Sequence, residues 1–323
     1  MAKRHVLLAI GLVSLASVTS APAEEFPTRP ITWVVPFAPG GITDTTSRIV
    51  AEEMSRTLGQ SVVIDNRAGG GGAVGTEQVA RAKPDGYTMI YGTQGTMAAN
   101  VTLRKNLSYD PLTSFLPVHL VGESPNLFVA YQGAPYDSVS EFVAYAKQNP
   151  GKVTFSSSGV GTATHLVAEL FKTVTGIEMQ HVPYRGSAPA LNDMIAGRVD
   201  FMFDYPVSVG PHVEAGKLKV LATTAPERLR AFPDVPTMAE LGMKEMTTQS
   251  WSSIMVPAGT PAAVVDRLAA AAHAALSSER VRTHFEKVGT RPMTLQKAEM
   301  IPFIEKEIVR WRDVIERAGL EKQ

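Results

Sequence analysis

Pro36-Phe37-Ala38-Pro39-Gly40-Gly41-Ile42-Thr43-Asp44 follows a short apolar run, Ile31-Thr32-Trp33-Val34-Val35, and leads into a segment with helical spacing. A strand, a glycine turn and a helix start make an anion site. The first N–H groups of a helix have no intrahelical partner, and the helix dipole favours negative charge there. Gly40 and Gly41 allow a sharp turn with φ > 0, and Thr43 or Asp44 can cap the helix. By itself the stretch is also compatible with an ordinary βα turn. What distinguishes the readings is whether the chain repeats the device.

From Ile31 to Val121 short β-like runs alternate with helical ones. Ile49, Val50, Met54 and Leu58 share one helical face, and Gly59 stands where a C-cap glycine belongs. Val62-Val63-Ile64 predicts the next strand, Val74 to Ala82 a helix, and Tyr87 to Tyr91 a third strand. The order β-α-β-α-β predicts an α/β protein with a mostly parallel sheet flanked by helices, its ligands at the carboxyl ends of the strands.

Residues 125–249 repeat the design. Strands are predicted at 127–131, 153–156, 179–182, 201–203 and 220–222. Ser157-Ser158-Gly159-Val160-Gly161-Thr162 again ends a strand and starts a helix. The last part offers one strand, Ser253 to Pro257, and helices over 261–276 and 297–317, which are expected to pack back on the first unit. The predicted organisation is therefore two lobes, 24–123 with 251–323 and 124–250, with two chain crossings and the ligand cleft between. Its 323 residues suit two domains at ~150 residues each.

Composition narrows the class. Hydrophobic residues at 44% and charged residues at 19% describe a globular chain, and a formal net charge of zero leaves no electrostatic footprint for nucleic acid. Lys3 and Arg4, the apolar run Val6–Val18 and Ala21-Pro22-Ala23 predict a signal peptide over 1–23, cleaved after Ala23. The apolar run is too short to span ~30 Å of hydrocarbon. Without the leader, 29 basic residues face 31 acidic ones, a net charge of −2. Cysteine is absent, so no disulfide framework exists.

Gly70-Gly71-Gly72-Ala73-Val74-Gly75 matches G-x-G-x-x-G, but the next strand ends Tyr91-Gly92-Thr93-Gln94 without the acid a dinucleotide site needs. No G-x-S-x-G elbow is present, and the scattered histidines, among them His119, His165, His181, His212, His273 and His284, show no metal-ligand spacing. The sequence thus predicts no cofactor, no metal and no catalytic residue. What remains is a pincer. Gly40, Gly41 and Thr43 in one lobe, and Ser157, Ser158, Gly159, Gly161 and Thr162 in the other, can grip one carboxylate through backbone N–H groups. Gly92 and Thr93 offer a third wall. His165, in the first turn after the second glycine loop, either touches the ligand or packs behind it. Arg185, after Tyr184, either pairs with a second carboxylate or is a solvated surface residue. Asp204, at a strand end, either selects a ligand amine or hydroxyl or caps a helix, and Tyr205 beside it suits an aromatic ligand.

These residues resemble the substrate-binding receptors of tripartite tricarboxylate transporters, often called Bug-type receptors. The resemblance covers nearly all of the chain after the leader. It is carried by 36–41 with Asp44, 62–67 with the following glycines, Lys83-Pro84-Asp85-Gly86-Tyr87-Thr88, Tyr109-Asp110-Pro111, Ser157 to His165, His181 to Gly186, Phe203-Asp204, Pro233 to Thr237 and Val256 to Pro261. It implies a periplasmic two-lobed "Venus flytrap" that captures small carboxylic acids as a monomer. The receptor would deliver them to membrane permease subunits or report them to a sensor. It further implies that loops 37–43 (Phe37 included) and 157–162 hold a ligand carboxylate, and that Asp204 meets ligand amino or amide groups. Tyr205 stands where the family usually has asparagine, which bears on ligand class. The reading from another class is a secreted α/β hydrolase or transferase using Asp204 and His165 as acid and base.

Overall fold

A computed structural model describes residues 26–295 and 297–323. The predicted leader and its cleavage site lie outside these residues. In chain order the elements are β1 (Ile31–Val35), α1 (Ile42–Leu58), β2 (Val62–Asn66), α2 (Ala73–Ala80), β3 (Thr88–Thr93), a π-helical turn (Gly95–Ala99) running into α3 (Asn100–Leu103), β4 (Phe115–Pro125) and β5 (Leu127–Tyr131). Then follow α4 (Val139–Gln148), β6 (Val153–Ser157), α5 (Ala163–Thr175), β7 (Met179–Pro183), α6 (Ser187–Ile195), β8 (Phe201–Asp204), α7 (Pro206–Glu214) and β9 (Leu218–Thr223). The chain ends with β10 (Gln249–Pro257), α8 (Ala262–Ser277), α9 (Glu279–Lys287), β11 (Arg291–Pro292) and α10 (Lys297–Arg317).

Two mixed sheets result, ordered β11-β4-β10-β3-β1-β2 and β7-β6-β8-β5-β9. The βαβ units read from the sequence form the parallel part of each sheet: β1 pairs in parallel with β2 and β3, and β6 with β7 and β8. The remaining pairs are antiparallel and come from the strands next to the crossings. β10 joins β3 and β4, while β5 joins β8 and β9. The sequence reading misses the 11-residue β4 because Pro117, Gly122 and Pro125 read as strand breakers. It also misses α9 and the short helix 95–103.

The chain passes from the first sheet to the second at Asn126 and returns through 224–248 to β10. A buried knot ties both passages together. Asn126 N–H donates to Thr224 Oγ1 at 2.9 Å, Thr224 N–H to the Asn126 carbonyl at 2.9 Å, and Thr248 N–H to the Thr224 carbonyl at 3.1 Å.

Each sheet carries its own core. In the first, Ile31, Trp33 and Val35 of β1 pack with Val50, Met54 and Leu58 of α1 and Leu268 of α8. In the second, four phenylalanines nest around Phe128. Phe201 stacks on it at 4.7 Å, and Phe142, Phe203 and Phe171 meet it edge-on at 5.0, 5.1 and 5.4 Å. Phe128 is fully buried. Truncation of this ring to Phe128→Ala is expected to cost the second lobe about 3–5 kcal/mol, read as a lower denaturant midpoint for a tryptophan-independent probe such as far-UV circular dichroism.

Candidate functional site

The strand ends of both sheets face one another across a cleft, and the loops that follow them touch. Ala38 N–H donates to the Arg185 carbonyl at 3.1 Å across the gap. Two further approaches are possible only for glycine. A Cβ on Gly71 would sit 2.0 Å from the Val160 carbonyl oxygen, and one on Gly95 would sit 2.8 Å from that of Gly161. The glycine run 69–72 therefore serves lobe contact, with φ positive at all four positions. Leu166 of α5 adds an apolar contact, buried among residues of the first lobe such as Leu103.

These contacts enclose a cavity of about 50 Å³ measured to water centres. A water needs ~10–15 Å³ on that measure, so the cavity is small. No Lys, Arg, Asp, Glu or His lines it among the described residues. Its wall is instead built from the starts of four helices. Gly41, Ile42 and Thr43 begin α1, Gln94 and Gly95 begin the helix 95–103, Thr162 and Ala163 begin α5, and Gly186 and Ser187 begin α6. Hydroxyl groups line the end nearest the crossings: Ser124, Ser250, Ser252, Thr290, Tyr91 and Tyr205.

The opening stretch is shaped by three side chains behind it. Only Gly40 has positive φ, at 89°; Gly41 is the N-cap at φ −87° and no side chain caps the helix. The capping predicted for Thr43 or Asp44 is therefore corrected. Asp44, at the third helical position, reaches back so that Gly40 N–H donates to its Oδ2 at 3.0 Å. Ile42 and Thr43, whose N–H groups have no partner within the helix, line the cavity. Burial would raise the Asp44 pKa, but Arg48 at 2.8 Å, the Gly40 N–H and Asn66 outweigh it and hold the carboxyl below its usual value. Asn66 also donates to the Phe37 carbonyl at 3.1 Å, which fixes the ring that lines the cavity.

Of the residues singled out in the sequence, Phe37, Gly41, Thr43, Thr93, Ser158, Thr162 and Tyr205 form part of the wall. The others lie behind it or away from it. Gly40 packs toward Ala188, and Gly92 is enclosed by Ser253 and Met97. Ser157 Oγ is taken by His181 Nε2 at 2.6 Å and by Gly159 N–H at 3.1 Å. Gly159 rests on Gly71, and Gly161 gives its N–H to His165 Nδ1 at 3.2 Å, so neither offers a donor to a ligand. In the second lobe the free donors come from the first turn of α5, not from the glycines before it. Tyr184 donates its hydroxyl to Asp193, and the Arg185 side chain is exposed, which removes it from the pairing considered above.

His165 and Asp204 do not meet. His165 stacks on His181 at 4.1 Å with Glu169 at 3.7 Å, on the far side of α5 from the cavity. Burial lowers its pKa to about 3, and that of His181 to about 4. Asp204 is fully buried and lies off the wall; its Oδ1 accepts from Ser187 Oγ and Tyr205 N–H, both at 2.8 Å. It reaches the wall through Ser187 and Tyr205, which both line the cavity. The acid–base pair of the hydrolase reading is thus not assembled. Thr46, Tyr91, Gln94, Gly95, Ser187 and the hydroxyls near the crossings were not legible as a site. They belong to separate segments of the chain that only the fold brings together.

Burial raises the Asp204 pKa from 3.8 to about 7, and its two donors only partly offset this. The folded state then holds a proton that the unfolded state has lost, so this carboxyl lowers stability as pH rises from about 4 to 7 and no further above that. Asp204→Asn is expected to remove this slope. The stability difference between variant and parent, measured by urea unfolding, should grow in the variant's favour across that window and level off above pH 7.

Comparison with known proteins agrees with this architecture. The model for the tripartite tricarboxylate transporter family receptor matches residues 46–320. BugT of Bordetella pertussis is 35% identical over 318 residues, covering 98% of both chains. An R. palustris protein solved with adipate superposes with a TM-score of 0.89 at 38% identity, over 93% of this chain and 100% of that one. MatC from Rhodopseudomonas palustris, solved with bound malate, gives 0.86 at 36% identity, over 90% and 100%. The two-lobed α/β fold, the loops that meet across its cleft and the family match lead to one conclusion: this chain belongs to the tripartite tricarboxylate transporter receptor family.

Proposed function

We propose that the protein is a periplasmic receptor that captures a small mono- or dicarboxylate by closure of its lobes, 24–123 with 251–323 and 124–250, without chemical turnover. The observation that carries this is a cavity with no charged wall residue onto which four helices direct their N-termini. Backbone N–H groups and aligned dipoles supply the positive potential, each helix start favouring an anion by ~0.3–1 kcal/mol when exposed and more when buried. Relatives solved with adipate and malate support an acid of this size. Capture follows population shift, because the helix starts of both lobes reach the ligand together only when the lobes meet. The partner that takes the ligand is the permease of a tripartite transporter, or a sensor in its place.

A thermal-shift screen over aliphatic and aromatic carboxylates tests this. A true ligand at 100 times its Kd adds ~2.7 kcal/mol, a rise of about 5 °C in Tm for a protein of this size, while the acid is recovered unchanged. Gly95→Ala separates closure from folding. Its added methyl meets the Gly161 carbonyl only when the lobes are together. Affinity should fall at least tenfold while ligand-free Tm stays within about 2 °C; undiminished affinity would show that binding does not need this closure.

A further inference from the structure

Gln94 is the polar side chain of the wall with least to do. It is 1% exposed, it lines the cavity, and neither its amide nitrogen nor its amide oxygen has a hydrogen-bond partner. It immediately follows β3 in helical conformation, at φ −45° and ψ −41°, directly before the π-helical turn. Thr46, also in the wall, shows the same pattern, 2% exposed with its hydroxyl unpartnered. A buried amide with both ends unmet is costly, so a ligand that meets both is favoured over one that meets only one.

We propose that Gln94 is the specificity-determining residue of the cleft and selects a carboxylate that carries a hydroxyl group. The proposal rests on the carboxylate reading above and deepens it. A carboxylate has only acceptors, so it can satisfy the amide N–H groups but leaves the amide oxygen unmet. That oxygen needs a donor on the ligand. Which way the amide is turned does not matter, because either orientation presents one donor end and one acceptor end. An ammonium group is the other possible donor, but it would lie among helix N-termini with no carboxylate on the wall. Asp204 keeps an unpartnered Oδ2, but the residue is fully buried behind Ser187 and Tyr205, which hold its Oδ1, and it does not line the cavity. A neutral hydroxyl donates without that repulsion.

Calorimetric titration of the purified protein with two matched series tests this: malate, succinate and aspartate; and lactate, propionate and alanine. The expected result is that in at least one series the hydroxy acid binds at least tenfold tighter than the unsubstituted acid, and the amino acid binds weakest. A site built around a ligand hydroxyl rejects the analogue that lacks it. In Gln94→Leu the hydroxy and unsubstituted acids should come within threefold of each other. Gln94→Glu, which keeps the shape and adds a negative charge, should weaken every acid at least tenfold, and serves if the leucine variant does not fold. Equal affinity for hydroxy and unsubstituted acids in the parent, tighter binding of the amino acid, or an undiminished preference in Gln94→Leu overturns this inference and leaves the carboxylate reading standing. Failure of every acid in both series and in the carboxylate screen overturns both.

Discussion

An anion can be held without a cationic side chain if enough peptide dipoles point at it, and the proposed carboxylate capture rests on that constraint. Four helix starts converge where an arginine would otherwise be needed. A fixed guanidinium would fill much of so small a cavity and would bind anions of many shapes. Backbone N–H groups are shorter, cannot swing away and are positioned by whole helices. The cost is that the donors come from both lobes. The proposed capture therefore needs the loops at 36–43, 93–95, 157–163 and 184–188 together.

That requirement explains the glycines. Backbone meets backbone across the cleft at Gly71 with Val160 and at Gly95 with Gly161, where any side chain would hold the lobes apart. Leu166 seals the same interface with apolar surface that would meet water if the lobes separated. Opposite it, the hydrogen-bonded knot of Asn126, Thr224 and Thr248 keeps the two crossings in register, and Ser124 and Ser250 beside it belong to the cavity wall. Cavity wall and crossing strands are thus continuous.

Asp204 stands at the strand end the sequence indicates, but its side chain is buried behind the cavity wall. A strand-end carboxylate reads as a ligand group, yet β8 buries it and Ser187 intervenes. His165 is similar: its position in the first turn of α5 is right, but the ring turns back to hold the Gly161 N–H and stack on His181. In both cases side-chain direction, not sequence position, decides contact with the cavity.

The sequence by itself determined the alternating βα units, the two lobes' worth of strands, and the glycine turns at 40–41 and 157–162. Apolar periodicity and turn chemistry are local, so they survive without a fold. The family likeness was legible for the same reason, in many short motifs in fixed order. Only the tertiary structure decided that each sheet is mixed, because antiparallel pairing of β4 with β10 and of β5 with β9 joins segments far apart in the chain. It alone selected which donors face the cavity, taking the Gly161 N–H away and presenting the first turns of α1, α5 and α6 instead. It alone brought Thr46, Gln94 and Ser187 to one wall, since no local rule links three residues from separate strand–helix turns. Pattern fixes what an element is; packing fixes what it faces.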